Sequence, residues 1–233
     1  MTYSIAPDVM NTAAHYADAQ LIVFDWDGTL FDSTGVIGHS LQQACMALNL
    51  AAPSLTEAQQ VIGLGFTEAI ERLVGRLDAA QTEQFMLAYR RTYYASENLV
   101  TLFAGMDAVL AQLKQQGKHL AIATGKSRAG LDRVLAHNPA LAQYFSSSRT
   151  GDQTQSKPHP QMLFELLSEL EVAPECAVMI GDTTYDVQMA HGASMPAIAV
   201  TYGAHDWATL QSVQPTHTAD SVSELAQLLG VAR

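Results

Sequence analysis

Short, uninterrupted runs of apolar residues recur along the chain, and each is followed at once by polar residues. The first run, Leu21–Phe24, ends directly before Asp25. A continuous apolar run of this length predicts a strand that is buried on both faces of a parallel sheet. The predicted strands span residues 21–24, 119–124, 176–180 and 196–200.

Helical periodicity separates these strands. Met106, Val109, Leu110 and Leu113 follow the i, i+3, i+4, i+7 spacing, and Gly117 supplies a stop signal. The same spacing recurs at Leu163, Leu166, Leu167 and Leu170. Strands that alternate with helices predict βαβ units, and hence an α/β fold with an open, Rossmann-like parallel sheet. Ligands of such sheets bind at the carboxyl ends of the strands.

One long segment, residues 34–100, breaks this alternation because it contains no convincing strand. Helical patterns are predicted there over 36–48, 69–77 and 82–94. We interpret the segment as a helical insertion between the first two strands. Residues 1–19 are expected to form a short helix or a loose arm, and the capping-box spacing of Ser221 and Glu224 predicts a last helix.

The charge balance excludes several classes of protein. The chain has 233 residues with 12 Lys+Arg against 23 Asp+Glu, a formal net charge of −11. This makes nucleic acid and anionic membrane surfaces unsuitable partners. No run of about 18 apolar residues and no signal-peptide pattern is found. The chain has only two cysteines, Cys45 and Cys176. So few cysteines are typical of proteins in a reducing compartment, so we expect a cytoplasmic location.

Four acidic residues follow predicted strands. Asp25 and Asp27 precede Gly28 after the first strand, and Asp182 and Asp186 follow a later one. Two like charges about 4 Å apart repel by roughly 4 kcal/mol at an effective dielectric constant near 20, so such a cluster must take up protons or hold a cation. Because all the candidate ligands are oxygens, Mg²⁺ is favoured over zinc.

Two further elements indicate phosphate chemistry. Thr124 and Gly125 directly follow a predicted strand, where a hydroxyl and a backbone N–H can bind an anionic oxygen. Lys157 precedes another helix and can neutralise a phosphoryl group or an acid of the cluster. Lys126 and Arg128 closely follow Thr124 and could add positive potential there, but the solvated start of a helix is the favoured interpretation.

The sequence leaves two interpretations open both for Asp32 and for the segment Val61–Thr67. Asp32 fits either a turn or cap residue or the pattern of the acidic motif around it. The glycine-containing segment Val61–Thr67 fits either a loop that faces the active site or a plain turn between helices.

Taken in order, these residues resemble the four signature motifs of the haloacid dehalogenase superfamily of phosphohydrolases. The motifs are Phe24–Asp32, Thr124–Gly125, Lys157–Pro158 and Gly181–Asp186. The helical insertion resembles the cap of the subfamily I members, which include phosphoglycolate phosphatase and β-phosphoglucomutase. The resemblance implies an α/β core domain of residues 1–33 and 101–233 and a helical cap domain of residues 34–100.

The resemblance also implies roles for individual residues. Asp25 would be the nucleophile that forms an aspartyl-phosphate, and Asp27 the general acid and base. The implied catalytic set is Asp25, Asp27, Thr124 and Lys157.

Binding roles follow from the same resemblance. Mg²⁺ would be held by Asp25, the backbone carbonyl of Asp27, and Asp182, while Asp186 would orient Lys157 or a metal-bound water. The implied phosphoryl-binding residues are Thr124, Gly125 and Lys157.

The expected function is that of a Mg²⁺-dependent phosphatase acting on a small phosphate monoester, either phosphoglycolate-like or a sugar phosphate. The expected partner is thus a small phosphorylated metabolite, and the chain is expected to be a monomer or a homodimer. The segment 34–100 contains no lysine, which argues against a substrate that bears a carboxylate. The alternatives are a phosphomutase of the β-phosphoglucomutase type and a catalytically silent binding or regulatory protein.

Overall fold

Strand β1 (Leu21–Phe24) lies inside the sheet, and all four of its side chains are fully buried. Successive side chains of a strand point to opposite faces. Ile22 and Phe24 accordingly belong to the apolar cluster on one face, whereas Leu21 and Val23 belong to the cluster on the other. Both faces of the sheet are therefore covered, which explains why the strand is apolar throughout.

In the described part of the chain, the main sheet has six strands in the order β5-β4-β1-β6-β7-β8, and every neighbouring pair is parallel. This confirms the predicted α/β fold with an open parallel sheet. The other five strands are β4 (His119–Thr124), β5 (Ser147–Thr150), β6 (Ala177–Gly181), β7 (Ala197–Val200) and β8 (His217–Ala219).

The four predicted strands lie within one residue of their expected positions, but the two strands at the sheet edges were not predicted. Strands β6 and β7 each begin one residue later than expected, and β6 also ends one residue later. The edge strands β5 and β8 lack an apolar run, because an edge strand has fewer neighbours to pack against. Only Thr150 in β5 and Ala219 in β8 are buried.

Between residues 15 and 231, seven α-helices flank the sheet. Helix α5 buries Met106 and Leu110 against one face, and helix α8 buries Met162 and Leu163 against the other. The helices are α5 (Met106–Gln115), α6 (Arg128–His137), α7 (Pro139–Ala142), α8 (Gln161–Leu170), α9 (Thr184–Gly192), α10 (Trp207–Gln211) and α11 (Val222–Leu228).

The insertion consists of helices that share an apolar cluster of their own, which includes Leu41, Ile70 and Phe85. Its helices are α1 (Thr34–Ala47), α2 (Leu55–Gln59), α3 (Phe66–Val74) and α4 (Ala79–Ala95). Helix α2 was not predicted, and α3 begins three residues before its expected start. Two antiparallel strands, β2 (Phe31–Asp32) and β3 (Thr101–Leu102), flank the insertion. The division into two domains at residues 34 and 100 stays a prediction.

The structure is a computed structural model that describes residues 15–231. Residues 1–14 of the expected N-terminal arm lie outside this range. Within it, the backbone N–H of Tyr16 donates to the carbonyl of Leu228 at the end of α11 (2.9 Å). Between residues 15 and 231, no helix is both long and apolar enough to cross a membrane.

Candidate active site

The carboxyl ends of three neighbouring strands bring the acidic motifs together. Strand β1 pairs with β4 on one side and with β6 on the other. Asp25 follows β1, Thr124 ends β4, and Asp182 follows β6. The backbone N–H of Asp25 continues the ladder by donating to the carbonyl of Ile180 (2.9 Å). The sheet therefore fixes the separation of these side chains before any side-chain contact forms.

Three carboxylates converge at this edge. Asp25, Asp182 and Asp186 each offer one carboxylate oxygen, and these oxygens lie within 4.8 Å of one another. All three side chains are buried. The sequence indicates a cluster of four acids, and the structure brings these three together.

Lys157 is fully buried against this cluster. Its Nζ lies 2.7 Å from Asp25 Oδ1 and 2.7 Å from Asp186 Oδ1. Burial alone would lower the pKa of Lys157, but the Asp186 and Asp25 carboxylates together raise it above its usual value. Lys157 is therefore a fixed ammonium that holds two acids in place.

Three carboxylates against one ammonium leave two negative charges in excess. Burial raises the pKa of Asp25 to about 7, and the repulsion from Asp186 and Asp27 adds to the rise despite the attraction of Lys157. Burial and the charges of Asp25 and Asp186 also raise the pKa of Asp182. The cluster is therefore strained when fully ionised, and one divalent cation would offset its excess charge.

The donor set fits a hard cation. The Asp25 carboxylate is buried, and its Oδ2 has no hydrogen-bond partner among residues 15–231. An unpartnered buried oxygen beside two further carboxylates is an arrangement that suits Mg²⁺ and, since it contains neither sulfur nor imidazole, disfavours softer metals.

Asp182 is held rigidly from several sides. Thr29 Oγ1 donates to Oδ1 at 2.8 Å, and the backbone N–H of Ala204 donates to Oδ2 at 2.7 Å. A Cβ atom at Gly28 would lie 2.1 Å from Asp182 Oδ2, and one at Gly203 would lie 2.3 Å from its Cβ. Glycine is required at both positions because the backbone closely approaches this carboxylate.

Asp186 is placed by the start of helix α9. Its Oδ2 accepts hydrogen bonds from the backbone N–H (3.1 Å) and the hydroxyl (2.7 Å) of Thr183, which caps the helix. Because Oδ2 is occupied in this way, Oδ1 is the oxygen that faces Lys157. Asp186 thus contacts Lys157 directly, and its role in orienting the lysine stays a prediction.

Asp27 is directed elsewhere. Its carboxylate receives a hydrogen bond from Ser33 Oγ (2.7 Å) and an ion pair from Lys126 Nζ (2.8 Å). The interpretation of Lys126 as a solvated helix start is therefore wrong, because its side chain lies between Asp27 and the ring of Tyr93, with Nζ 5.2 Å from the ring centroid. Its position two residues after Thr124 was the only sequence signal for this role.

The segment Val61–Thr67 faces the site, so the plain interhelical turn is not the correct interpretation. A Cβ atom at Gly125 would lie 2.4 Å from the carbonyl oxygen of Leu64 and 2.7 Å from that of Gly63. The backbone N–H of Gly65 also donates to Ser156 Oγ at 2.6 Å. The insertion and the sheet therefore touch directly over the strand ends.

A cavity of about 180 Å³ lies between the insertion and the strand ends. Asp25, Asp27, Thr124 and Gly125 line its floor, whereas Lys157 does not reach the lining. Thr124 is buried, and its Oγ1 accepts a hydrogen bond from the backbone N–H of Lys126 (3.2 Å). Two of the three predicted phosphoryl-binding residues, Thr124 and Gly125, therefore line the cavity. The third, Lys157, contacts Asp25 outside the lining.

Comparisons with known proteins match nearly the whole chain. The tyrosine-protein kinase PtkA of Mycobacterium tuberculosis is 32% identical over 218 residues, which make up 91% of this chain and 73% of that protein. The phosphoglycolate phosphatase of Nitrosococcus oceani is 29% identical over 220 residues, 91% of this chain and 97% of that protein. The crystal structure of a haloacid dehalogenase-like hydrolase from Bacteroides fragilis superposes with a TM-score of 0.80 at 25% identity, covering 89% of this chain and 99% of that one.

A family model described as haloacid dehalogenase-like hydrolase matches residues 22–200. This span contains every acidic, threonine and lysine residue of the site. The resemblance carried by the four motifs is therefore confirmed, and the chain belongs to the haloacid dehalogenase-like hydrolase family.

Proposed function

We propose that this protein is a metal-dependent phosphatase that hydrolyses a small phosphate monoester through a covalent phosphoryl intermediate on Asp25. The observation that carries the proposal is the placement of Asp25. Its carboxylate lines the cavity, leaves Oδ2 without a hydrogen bond among residues 15–231, and lies 2.7 Å from the ammonium of Lys157. Such a carboxylate is available as a nucleophile and is held in one orientation.

In this proposal Asp25, Asp182 and the backbone carbonyl of Asp27 hold Mg²⁺. When bound, the ion neutralises charge between the carboxylates and a phosphate dianion and polarises a phosphoryl oxygen. The excess negative charge of the buried cluster and its all-oxygen donor set support this assignment.

The chain's own residues then divide the reaction into two halves. In the first, an oxygen of Asp25 bonds to phosphorus while the ester P–O bond breaks, and Asp27 gives its proton to the departing alkoxide. In the second, Asp27 takes a proton from water as the water oxygen bonds to phosphorus, which releases inorganic phosphate and restores the Asp25 carboxylate. Lys126 and Ser33 support these proton transfers because they hold the Asp27 side chain at the cavity floor.

Thr124 and Gly125 are proposed to bind the phosphoryl oxygens, whereas Lys157, which lies outside the cavity lining, is proposed to hold the Asp25 carboxylate in place beside them. The Thr124 hydroxyl and the Gly125 backbone face the same cavity as Asp25. Catalysis in this arrangement consists mainly of placement and charge compensation, which is the general requirement of phosphoryl transfer. The relative named phosphoglycolate phosphatase supports hydrolysis as the net reaction.

Phosphate release from purified protein tests the proposal. With MgCl₂ and a panel of small phosphate monoesters, we expect release of inorganic phosphate that Asp25→Asn lowers by at least about a thousandfold. The matched control is Asp18→Asn, which removes an exposed carboxylate that does not line the cavity and is expected to retain full activity.

Other outcomes separate the alternatives. An isomerised sugar phosphate without free phosphate would identify a phosphomutase instead. A folded wild-type protein that turns over no ester, or an Asp25→Asn variant with wild-type activity, would contradict the proposed function.

A further inference from the structure

The cavity above Asp25 is enclosed mostly by apolar side chains. The insertion supplies most of its walls, including Ile62, Leu64, Phe66, Met86, Tyr89 and Tyr93. Since the phosphoryl group occupies the floor in the proposed function, these side chains surround the space that remains for the alcohol part of the substrate. The chemistry of the walls therefore indicates the chemistry of that alcohol.

An aromatic ladder forms one side of the cavity. Phe66 from α3 meets the edge of Tyr89 from α4 at 5.2 Å between ring centroids, and Tyr89 stacks on Tyr93 one turn further at 5.9 Å. Tyr93 is buried and Tyr89 half-buried. Interlocked rings of this kind lose little conformational entropy on ligand binding, and they favour flat or apolar groups.

Two of the three cations that line the cavity are paired with carboxylates. Lys126 is paired with Asp27 at 2.8 Å. Arg133 is paired with Glu97 at 2.9 Å, and its guanidinium lies 4.5 Å from the centroid of the Tyr94 ring. The remaining cation of the lining, Arg90, is solvent-exposed. A carboxylate on the substrate would therefore be desolvated against apolar walls without a dedicated partner, which is unfavourable.

We propose that the substrate is a phosphate monoester of an uncharged, predominantly apolar alcohol, with a body no larger than about one six-membered ring. This inference rests on the proposed phosphatase function and specifies its substrate class. One ring is the upper limit because an apolar cavity of about 150 Å³ accommodates benzene, and the phosphoryl group takes part of this cavity of about 180 Å³. The chain thus differs in its preference from an enzyme for phosphoglycolate, whose leaving group is charged.

A pair of esters with the same shape tests this preference. Isopentyl phosphate and 3-phosphonooxypropionate have the same number of non-hydrogen atoms beyond the ester oxygen, and they differ in whether the branched end is two methyl groups or a carboxylate. With Mg²⁺ and purified protein, we expect kcat/KM for isopentyl phosphate to be at least about tenfold higher, and benzyl phosphate to be accepted equally well. Equal or faster turnover of the carboxylate ester would overturn the inference and leave the phosphatase function intact. No turnover of any ester would instead refute the phosphatase function on which the inference rests.

A charge placed in the wall gives the second arm. Met86→Lys adds a cation to the lining, so we expect the ratio of the two kcat/KM values to shift at least about tenfold toward the carboxylate ester. The matched control is Leu87→Lys, because the adjacent Leu87 is 58% exposed and does not line the cavity. It should leave the ratio unchanged. If folded Met86→Lys protein gives the same ratio as Leu87→Lys, the assignment of this wall is wrong. If Met86→Lys does not fold, the comparison of the two esters on the wild-type protein decides the case.

Discussion

Lys157 Nζ lies 2.7 Å from Asp25 Oδ1, and both side chains are almost completely buried. The same nitrogen holds Asp186 at an equal distance. A single buried cation thus offsets two buried anions, and its removal leaves both without a compensating positive charge.

We therefore expect Lys157→Met to lower the free energy of unfolding by about 3–5 kcal/mol at pH 8 in metal-free buffer. Breaking a buried ion pair in this way leaves negative charge buried without compensation. Urea unfolding followed by circular dichroism measures this. Lys114→Met, which removes an exposed lysine from the last turn of α5, should cost less than about 1 kcal/mol. Similar losses for the two variants would argue against a central role of the buried pair.

Lys126 positions the Asp27 carboxylate, which it contacts at 2.8 Å. In Lys126→Met, Ser33 alone would hold that carboxylate, so the proposed proton donor would lose part of its orientation. We expect kcat to fall about 10- to 100-fold, and the loss of stability to be smaller than in Lys157→Met, because the side chains of Lys126 and Asp27 are 13% and 12% exposed. Steady-state kinetics on the best ester of the panel measure this, with Lys114→Met again as the control. Wild-type kcat in Lys126→Met would show that the ion pair is dispensable for proton transfer.

The effect of Mg²⁺ on stability should depend on pH. The pKa of Asp25 is raised to about 7 in the folded metal-free protein from an ordinary value of 3.8. The folded state therefore binds more protons than the unfolded state between these values, and the free energy of unfolding falls as the pH rises through this window. Mg²⁺ displaces those protons and offsets the charge, so it should bind more strongly at high pH.

We expect the gain in melting temperature on adding Mg²⁺ to be larger at pH 8 than at pH 5. Differential scanning fluorimetry at constant ionic strength measures this gain. Asp182→Asn, which removes a proposed ligand, should abolish most of it. Equal gains at both pH values, or an unchanged gain in Asp182→Asn, would place the ion outside the acidic cluster.

Gly125 allows the loop of the insertion to lie directly on the sheet. A Cβ atom there would approach the carbonyl oxygens of Leu64 and Gly63 far inside normal contact distance. Gly125→Ala should therefore push the loop away and lower kcat/KM about 10- to 100-fold, while the core of the protein stays folded.

Gly35→Ala is the matched control for that loop displacement, because a Cβ atom at Gly35 in helix α1 would meet nothing within 4 Å. Its activity should equal that of the wild type, and its stability should be unchanged or raised by up to about 1 kcal/mol. If Gly125→Ala retains full kcat/KM, contact between this loop and the sheet is not needed for turnover.

The parts of the fold that the sequence predicts are those in which one local pattern decides the structure. Strands β1 and β4 are apolar because they are covered on both faces, so a simple run identifies them. Strand β5 has the sequence Ser-Ser-Arg-Thr, and Arg149 within it pairs with Glu165 of α8 rather than packing in the core. No local pattern predicts such an edge strand, because it is stabilised by its neighbour β4 and by a helix distant in sequence.

In the candidate site too, the sequence predicts the contacts that a local pattern decides and misses those that depend on packing between distant segments. Asp25 and Asp182 come together because adjacent parallel strands end at one edge, so their spacing after apolar runs is sufficient to predict their proximity. The contact between Lys126 and Asp27 depends in addition on Tyr93, which belongs to α4 and lies on one side of the lysine. A lysine just before a helix is usually solvated, and only the packing of the insertion changes that environment.

The small antiparallel pair formed by β2 (Phe31–Asp32) and β3 (Thr101–Leu102) places the departure and the return of the inserted helices side by side. The polypeptide can therefore be lengthened, shortened or exchanged between these two points without altering a single hydrogen bond of the main sheet. Evolution can therefore change the substrate specificity of such a protein through the inserted helices while the acidic residues at the strand ends are retained.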